Sequence, residues 1–420
     1  MRLRPSLLTL ALLAACGKAA TTPSEQITGS GVSPANPPPQ ACGAGGLMSS
    51  IGRKHLLIGY AGADDVASQA PFDLRYQYLC GAIGDPSRNC SDYGWWQCWE
   101  QDLGALPQGN IVQELISQSQ QNGGIAMFTY YEILQSSGVL EGAAEVQQAA
   151  NDASFMNKYL TDFRTLLDRI GSRVAFVHIE PDFWGYAGQL AIPVGKDAHA
   201  LPAAVDASGD CPSSDFEQSI AGLGRCMIAM VRQHAPNTKV GLHASGWGTN
   251  RDVLLNTDAG LDPAVEGQKL GQFMVSAGAD LGDFVVADMS DRDAGCYQSH
   301  YSDWCPGAPR NTWWNTDSNL PDFAQAFTWS KAVAEAVGRP VLWWQIPVGN
   351  MTLNQNNANH FQDNRVDYLF QHTSDVVAGG AIGLAFGAGE SHQTNPSSDG
   401  GNLVGKTAAL AKTGSVAICP

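Results

Sequence analysis

The sequence predicts an α/β chain closed as a (β/α)8 barrel, a single domain with enlarged loops after its strands. Three observations predict it. Eight short apolar runs recur along the chain, stretches of helical periodicity separate most of them, and the chemically unusual residues collect at the C-terminal ends of the runs.

In chain order the runs are "HLLIGYAG" from His55, "FDLRYQYLCG" from Phe72, "IAMFTYYEI" from Ile125 and "RVAFVHIE" from Arg173, then "KVGLHASGW" from Lys239, "DFVVADMS" from Asp283, "PVLWWQIP" from Pro340 and "AIGLAFGAG" from Ala381. Helical stretches between them include "NKYLTDFRTLLDRIG" from Asn157 and "FAQAFTWSKAVAEAVG" from Phe323. The latter stops at Gly338 and Pro340, before the seventh run. Between the first two runs no helix is evident, and the second carries more charge than a barrel strand usually does.

Ahead of the domain, Arg2 and Arg4 precede "LLTLALLAAC", an apolar run too short to span a membrane. Residues 1–16 read as a signal peptide whose Leu13-Ala14-Ala15-Cys16 end resembles the bacterial lipobox, with Cys16 the lipidated residue. Gly17 in place of Asp suits an outer-membrane or cell-surface lipoprotein. Residues 17–46, rich in Pro, Ser, Thr and Gly, read as a disordered tether, and 47–420 as the barrel domain. Membrane contact is expected through the N-terminal lipid only, and a monomer is expected.

Asp and Glu number 40 against 24 Lys and Arg, a net charge of -16, which repels phosphate backbones and excludes nucleic acid as a partner. Once Cys16 is lipidated nine cysteines remain, and export favours their pairing. Short separations favour Cys211 with Cys226 and Cys296 with Cys305. Cys42 and Cys419 would tie the termini, and Cys80, Cys90 and Cys98 would share one bond, leaving one of them free. Because no CxxC or CxxH spacing occurs, no metal site is expected. No GxSxG, P-loop, HExxH or GxGxxG signature is present, and no cofactor is expected.

In a barrel of this kind chemistry sits at the C-terminal strand ends. The first run ends at Tyr60 near Asp64 and Asp65, the third at Tyr131 and Glu132, and the fourth in "FVHIEPDFWGY" with Glu180, Asp182 and Trp184. His243 and Trp247 end the fifth; Asp288, Asp291, Arg292 and Asp293 follow the sixth; Trp344 and Gln345 end the seventh; and Glu390 follows the eighth. Pro181 disfavours helical backbone at Glu180, so that residue is read as extended, sharing a face with Phe176 and His178 and projecting into the mouth. A carboxyl crowded there by Trp184 would be poised as a general acid. The bland readings of Glu180 are a helix cap or a calcium ligand beside Asp182.

Sugar cleavage needs a second carboxylate. Asp288 lies on the alternating face of Phe284 and Val286, whereas Asp291 and Asp293 flank Arg292, a pattern that also suits a loop salt bridge. Glu180, Asp288 and Asp291 are the catalytic candidates. Tyr131, Glu132, Asp182, Trp184, His243, Trp247, Arg292, Asp293, Trp344, Gln345 and Glu390 are the substrate-contact candidates. "YGWWQCWE", with Trp95, Trp96 and Trp99, reads as loop aromatics with little core to fill, suited to a sugar platform.

"FDLRYQYL", "EPDFWGY", "SDRDAG", "WWQIPVGN" and "HFQDNRVDYL" resemble stretches of a group of secreted bacterial proteins with glycoside-hydrolase-like TIM barrels. The layout is also similar to the large retaining-glycosidase clan, whose acid/base carboxylate ends strand four and whose nucleophile ends strand seven. Glu180 matches the first position, although His178 and Ile179 stand where that clan usually has an Asn before its Glu. Gln345 stands at the second, which turns the search for a partner acid to Asp288, Asp291 and Glu390. The resemblance implies a surface-anchored glycoside hydrolase acting on an oligo- or polysaccharide; the alternative is a noncatalytic glycan-binding lipoprotein on the same scaffold.

Overall fold

The computed structural model describes residues 44–418 apart from 63, 85–89, 91–93, 100–107, 306, 308–310, 354–355 and 358. The signal peptide, Cys16, nearly all of the tether and the Cys42–Cys419 pairing therefore lie outside the described residues. Eight strands, β1 (Leu57–Tyr60), β2 (Leu74–Leu79), β3 (Ile125–Tyr130), β4 (Phe176–Ile179), β5 (Lys239–His243), β6 (Phe284–Asp288), β7 (Val341–Ile346) and β8 (Ala381–Phe386), form a closed barrel in sequence order. Every neighbouring pair is parallel, and closure comes from Leu57 to Tyr60 of β1 pairing with Gly383 to Phe386 of β8. Each strand falls inside one of the eight apolar runs.

Helices α1 (Asp64–Ala67), α2 (Asn110–Gln121), α3 (Ala153–Ile170), α4 (Ile220–His234), α5 (Pro263–Ser276), α6 (Phe323–Val337), α7 (Arg365–Gln371) and α8 (Asn402–Thr413) follow the strands in turn. The connection that lacks a sequence signal holds only the one-turn α1. Asp152 starts α3 by accepting from the amides of Ser154 and Phe155, and α6 stops at Gly338, whose φ of +69° needs no Cβ. Both strand faces are apolar, as a sheet buried on two sides requires: all residues of β1, β3, β4, β7 and β8 are buried. Outside the barrel, Trp343 lies with Trp314 and Trp329 under α6; inside, Phe176 meets Phe284 with ring centroids 5.2 Å apart.

Cys211 bonds Cys226, Cys296 bonds Cys305, and Cys90 bonds Cys98. Cys80 is disulfide-bonded too, which corrects the expectation that one of Cys80, Cys90 and Cys98 is free. Such pairing suits an oxidising compartment. Among the described residues no helix is long and apolar enough to cross a membrane.

Candidate active site

Glu180 does not project into the mouth. Its φ is +53°, a left-handed conformation that breaks the strand alternation and turns the side chain outward, away from His178. The residue is 0% exposed, and Oε1 accepts from the amides of Glu132 (2.9 Å) and Ile133 (3.1 Å) where β3 gives way to a short helix. The Tyr159 hydroxyl of α3 faces the Glu180 carboxyl and also reaches Met227 Sδ at 3.4 Å. Burial pushes the carboxyl up to about 8, against the pull of the two amides. The carboxyl is thus held by backbone amides under the rim, not in the mouth where the sequence reading placed it.

Asp182, two residues on, takes the place expected for Glu180. It too has a positive φ, +68°, and it remains partly exposed. Tyr131 Oη donates to Asp182 Oδ2 at 2.8 Å, and His243 and Asp288 both act on the carboxylate electrostatically. Burial pushes Asp182 up to about 6, with the neighbouring Asp288 adding to the rise. Backbone strain is a mark of functional sites, and Gln345 (φ +54°) near the end of β7 and His392 (φ +61°) in the loop after β8 carry it.

Asp288 keeps the alternation of β6 and points into the mouth, where His243 Nε2 lies 3.2 Å from Oδ1 and 23% of the side chain is exposed. Asp291, 32% exposed, accepts from Arg292 and from Tyr297 Oη. Arg292 spans from Asp291 to Glu390 (3.1 Å), and its Nε donates to Trp304 O. Tyr78 faces all three aspartates, Asp182, Asp288 and Asp291, and its hydroxyl donates to Gln345 Oε1. Trp344, a substrate-contact candidate, is only 2% exposed and packs beneath these groups rather than facing a ligand, with ring centroids 4.7 Å from His178, 5.8 Å from His243 and 5.2 Å from Tyr78. Trp247 and Tyr186, 4.8 Å apart and both partly exposed, form a wall beside Asp182. The mouth thus unites Tyr131, Asp182, His243, Trp247, Asp288, Asp291, Arg292, Gln345 and Glu390.

Three other candidates lie outside it. Trp184 is fully buried, donating from Nε1 to Ile179 O beneath the rim. Glu132 is 0% exposed, bonded to Ser136 Oγ and pushed well above the carboxylate range by burial. Asp293 accepts from the amides of Gly349 (2.9 Å) and Thr394 (2.8 Å), which ties together the loops after β6, β7 and β8. The aromatic loop is corrected as well: Trp95, Trp96 and Trp99 are buried. Asp162 of α3 accepts from Trp95 Nε1 (3.0 Å), Trp96 Nε1 (2.9 Å), Gln97 Nε2 (2.6 Å) and Tyr130 Oη (2.8 Å). Sequence reasoning overlooked Asp162, Tyr78 and Thr129, and no local motif marks any of them. The side chains of Asp64 and Asp65 lie outside the described ones.

The arrangement sets Asp182, after β4, and Asp288, at the end of β6, close enough to act on each other electrostatically, with His243 of β5 facing both. Two hollows elsewhere, one beside Asp162 and Trp95 and one between Arg225 and Leu281, bring no second carboxylate to a first. Among the described residues no group of three or more His, Cys, Asp or Glu is placed to hold a metal ion.

No protein-family model matches the sequence, and no curated protein does. Among solved structures the chain is similar to the endo-beta-1,4-mannanase from Thermotoga petrophila (10% identity, 86% of this chain and 77% of that chain covered, TM-score 0.43). It is similar to a GH5 family lichenase from Caldicellulosiruptor sp. F32 (9%, 92% and 99%, TM-score 0.47) and to endo-glycoceramidase II from Rhodococcus sp. (10%, 85% and 79%, TM-score 0.45). Likenesses this distant carry no residue role or activity to this chain, and the barrel stands on its own strand register.

Proposed function

We propose that the chain is a glycoside hydrolase in which Asp182 is the general acid and Asp288 the partner carboxylate. The observation that carries the reading is that these two carboxylates share one mouth in unlike environments. Burial favours the protonated form of Asp182 against the pull of His243 and Tyr131, whereas Asp288, at the end of β6, is partly exposed and hydrogen-bonded to the His243 imidazole. Glycosidic cleavage requires two acids: one protonates the leaving oxygen while the other attacks the anomeric carbon or activates water. The partly exposed Tyr186–Trp247 wall offers ring faces for pyranose stacking, and Gln345 and Arg292 offer donors to hydroxyls.

Around this mouth stand Asp182, Asp288, Asp291 and Glu390 with Arg292 already bound between two of them, so the field is negative. The substrate is accordingly a neutral glycan or one bearing amino groups, and polyuronates or sulfated chains are repelled. Export as a lipoprotein through Cys16, with residues 17–46 as tether, completes the proposal. The domain would then work as a monomer at the cell surface.

A panel of neutral, amino-bearing and anionic polysaccharides, assayed for new reducing ends with the purified chain, tests the reading. Release from a neutral or amino-bearing member and none from the anionic ones is expected. No release from any member, together with binding to one, would instead support a noncatalytic glycan-binding protein, the reading favoured by an amide, Gln345, at the end of β7.

A further inference from the structure

Four polar side chains stand in a row inside the barrel. Thr129 Oγ1 lies 3.1 Å from His178 Nδ1, His178 Nε2 lies 3.0 Å from His243 Nδ1, and His243 Nε2 lies 3.2 Å from Asp288 Oδ1. Thr129 and His178 are 0% exposed and His243 1%, so no water competes for these bonds. The two imidazoles are stacked at 28° with centroids 5.1 Å apart, and Trp344 meets both edge-on.

Donors and acceptors fix the direction of the row. An ionised carboxylate only accepts, so His243 carries its proton on Nε2. A neutral His243 with that tautomer has a lone pair on Nδ1, which a proton on His178 Nε2 satisfies. His178 Nδ1 is left as an acceptor, and the Thr129 hydroxyl is the donor within reach. Burial holds His178 well below the usual histidine range, consistent with a neutral ring. In this arrangement every polar atom of the row is satisfied and each bond points toward Asp288. Asp182, just past the end of the neighbouring β4, also faces His243.

We infer that Thr129 and His178 are positioning residues for Asp288: they set the tautomer and plane of His243 so that its Nε2–H holds Asp288 as the proton-accepting carboxylate. The inference rests on the reading of Asp288 as the acid's partner. Neither Thr129 nor His178 touches the mouth, and their effect passes through His243.

Two measurements on the full chain decide it. Nitrogen-15 spectra of the histidine rings at neutral pH are expected to show both His178 and His243 neutral with the proton on Nε2. A cationic His243, or one protonated on Nδ1 alone, would overturn the inference. Thr129→Val removes the terminal donor without changing shape. It is expected to perturb the His178 ring nitrogens and lower kcat about tenfold, the scale of one hydrogen bond, with KM unchanged. His178→Gln, which keeps an N–H toward His243, is expected to retain more activity than His178→Leu. A Thr129→Val protein with unaltered ring spectra and unaltered kcat would also overturn it. Because the spectra need no substrate, failure to cleave any glycan counts against the catalytic reading alone, and a wrong tautomer in an active enzyme counts against the row alone.

Discussion

The hydroxyl of Tyr131 donates to Asp182 Oδ2 at 2.8 Å, and this bond sets how readily the proposed acid keeps its proton. Burial raises Asp182 to about 6 while the bond pulls in the opposite direction by favouring the ionised form. A general acid works protonated, so hydrolysis is expected to fall as pH rises through about 6. Tyr131→Phe removes the pull, and the alkaline limb of the kcat profile is expected to move up by about one pH unit. A limb that stays in place in pH–rate profiles would detach Asp182 from the rate.

Glu180→Gln is expected to leave hydrolysis intact, the opposite of what its position in the sequence suggests. Glutamine copies a protonated carboxyl, and its carbonyl can still accept from the amides of Glu132 and Ile133. The stability effect has a definite sign. With a folded-state value of about 8 against an ordinary 4.5, the stability associated with neutral Glu180 is fully present below 4.5 and is lost as pH rises toward 8. Denaturation series across that window are expected to show wild type losing about 1.4 kcal/mol per pH unit relative to Glu180→Gln. Parallel pH profiles, or loss of activity in the variant, would return Glu180 to the chemistry.

Asp162→Ala removes the acceptor shared by Trp95, Trp96, Gln97 and Tyr130. Stranding buried donors is costly, and urea titration is expected to show a loss of about 3–5 kcal/mol. Hydrolysis by the folded fraction is expected to persist, since none of these groups reaches the mouth. A loss below about 1 kcal/mol, the size of an ordinary exposed bond, would contradict the anchoring role.

How far the sequence could be read depends on where backbone geometry stays regular. The strands were legible because a parallel barrel buries both faces, so each appears as a short apolar run closed by polar residues. Asp288 keeps the alternation of Phe284 and Val286, and its direction follows from counting by two. Counting fails at Glu180, whose left-handed backbone serves amides at the end of β3, 48 residues earlier. The tryptophans of "YGWWQCWE" looked free of the core because their acceptor, Asp162, lies on a helix more than 60 residues away. Thr129 and His178 sit within ordinary strand sequence, and only the closed ring of strands brings them into line with Asp288.

The most direct measurement compares Asp182→Asn with wild type on two substrates: the preferred natural glycan and an aryl glycoside of the same sugar with a dinitrophenolate leaving group. A leaving group that departs without protonation has no use for a general acid. The variant is expected to lose about 10²- to 10⁴-fold on the glycan and little on the aryl glycoside. Equal losses on both substrates, or full activity on the glycan, would contradict the assignment of Asp182 as the acid.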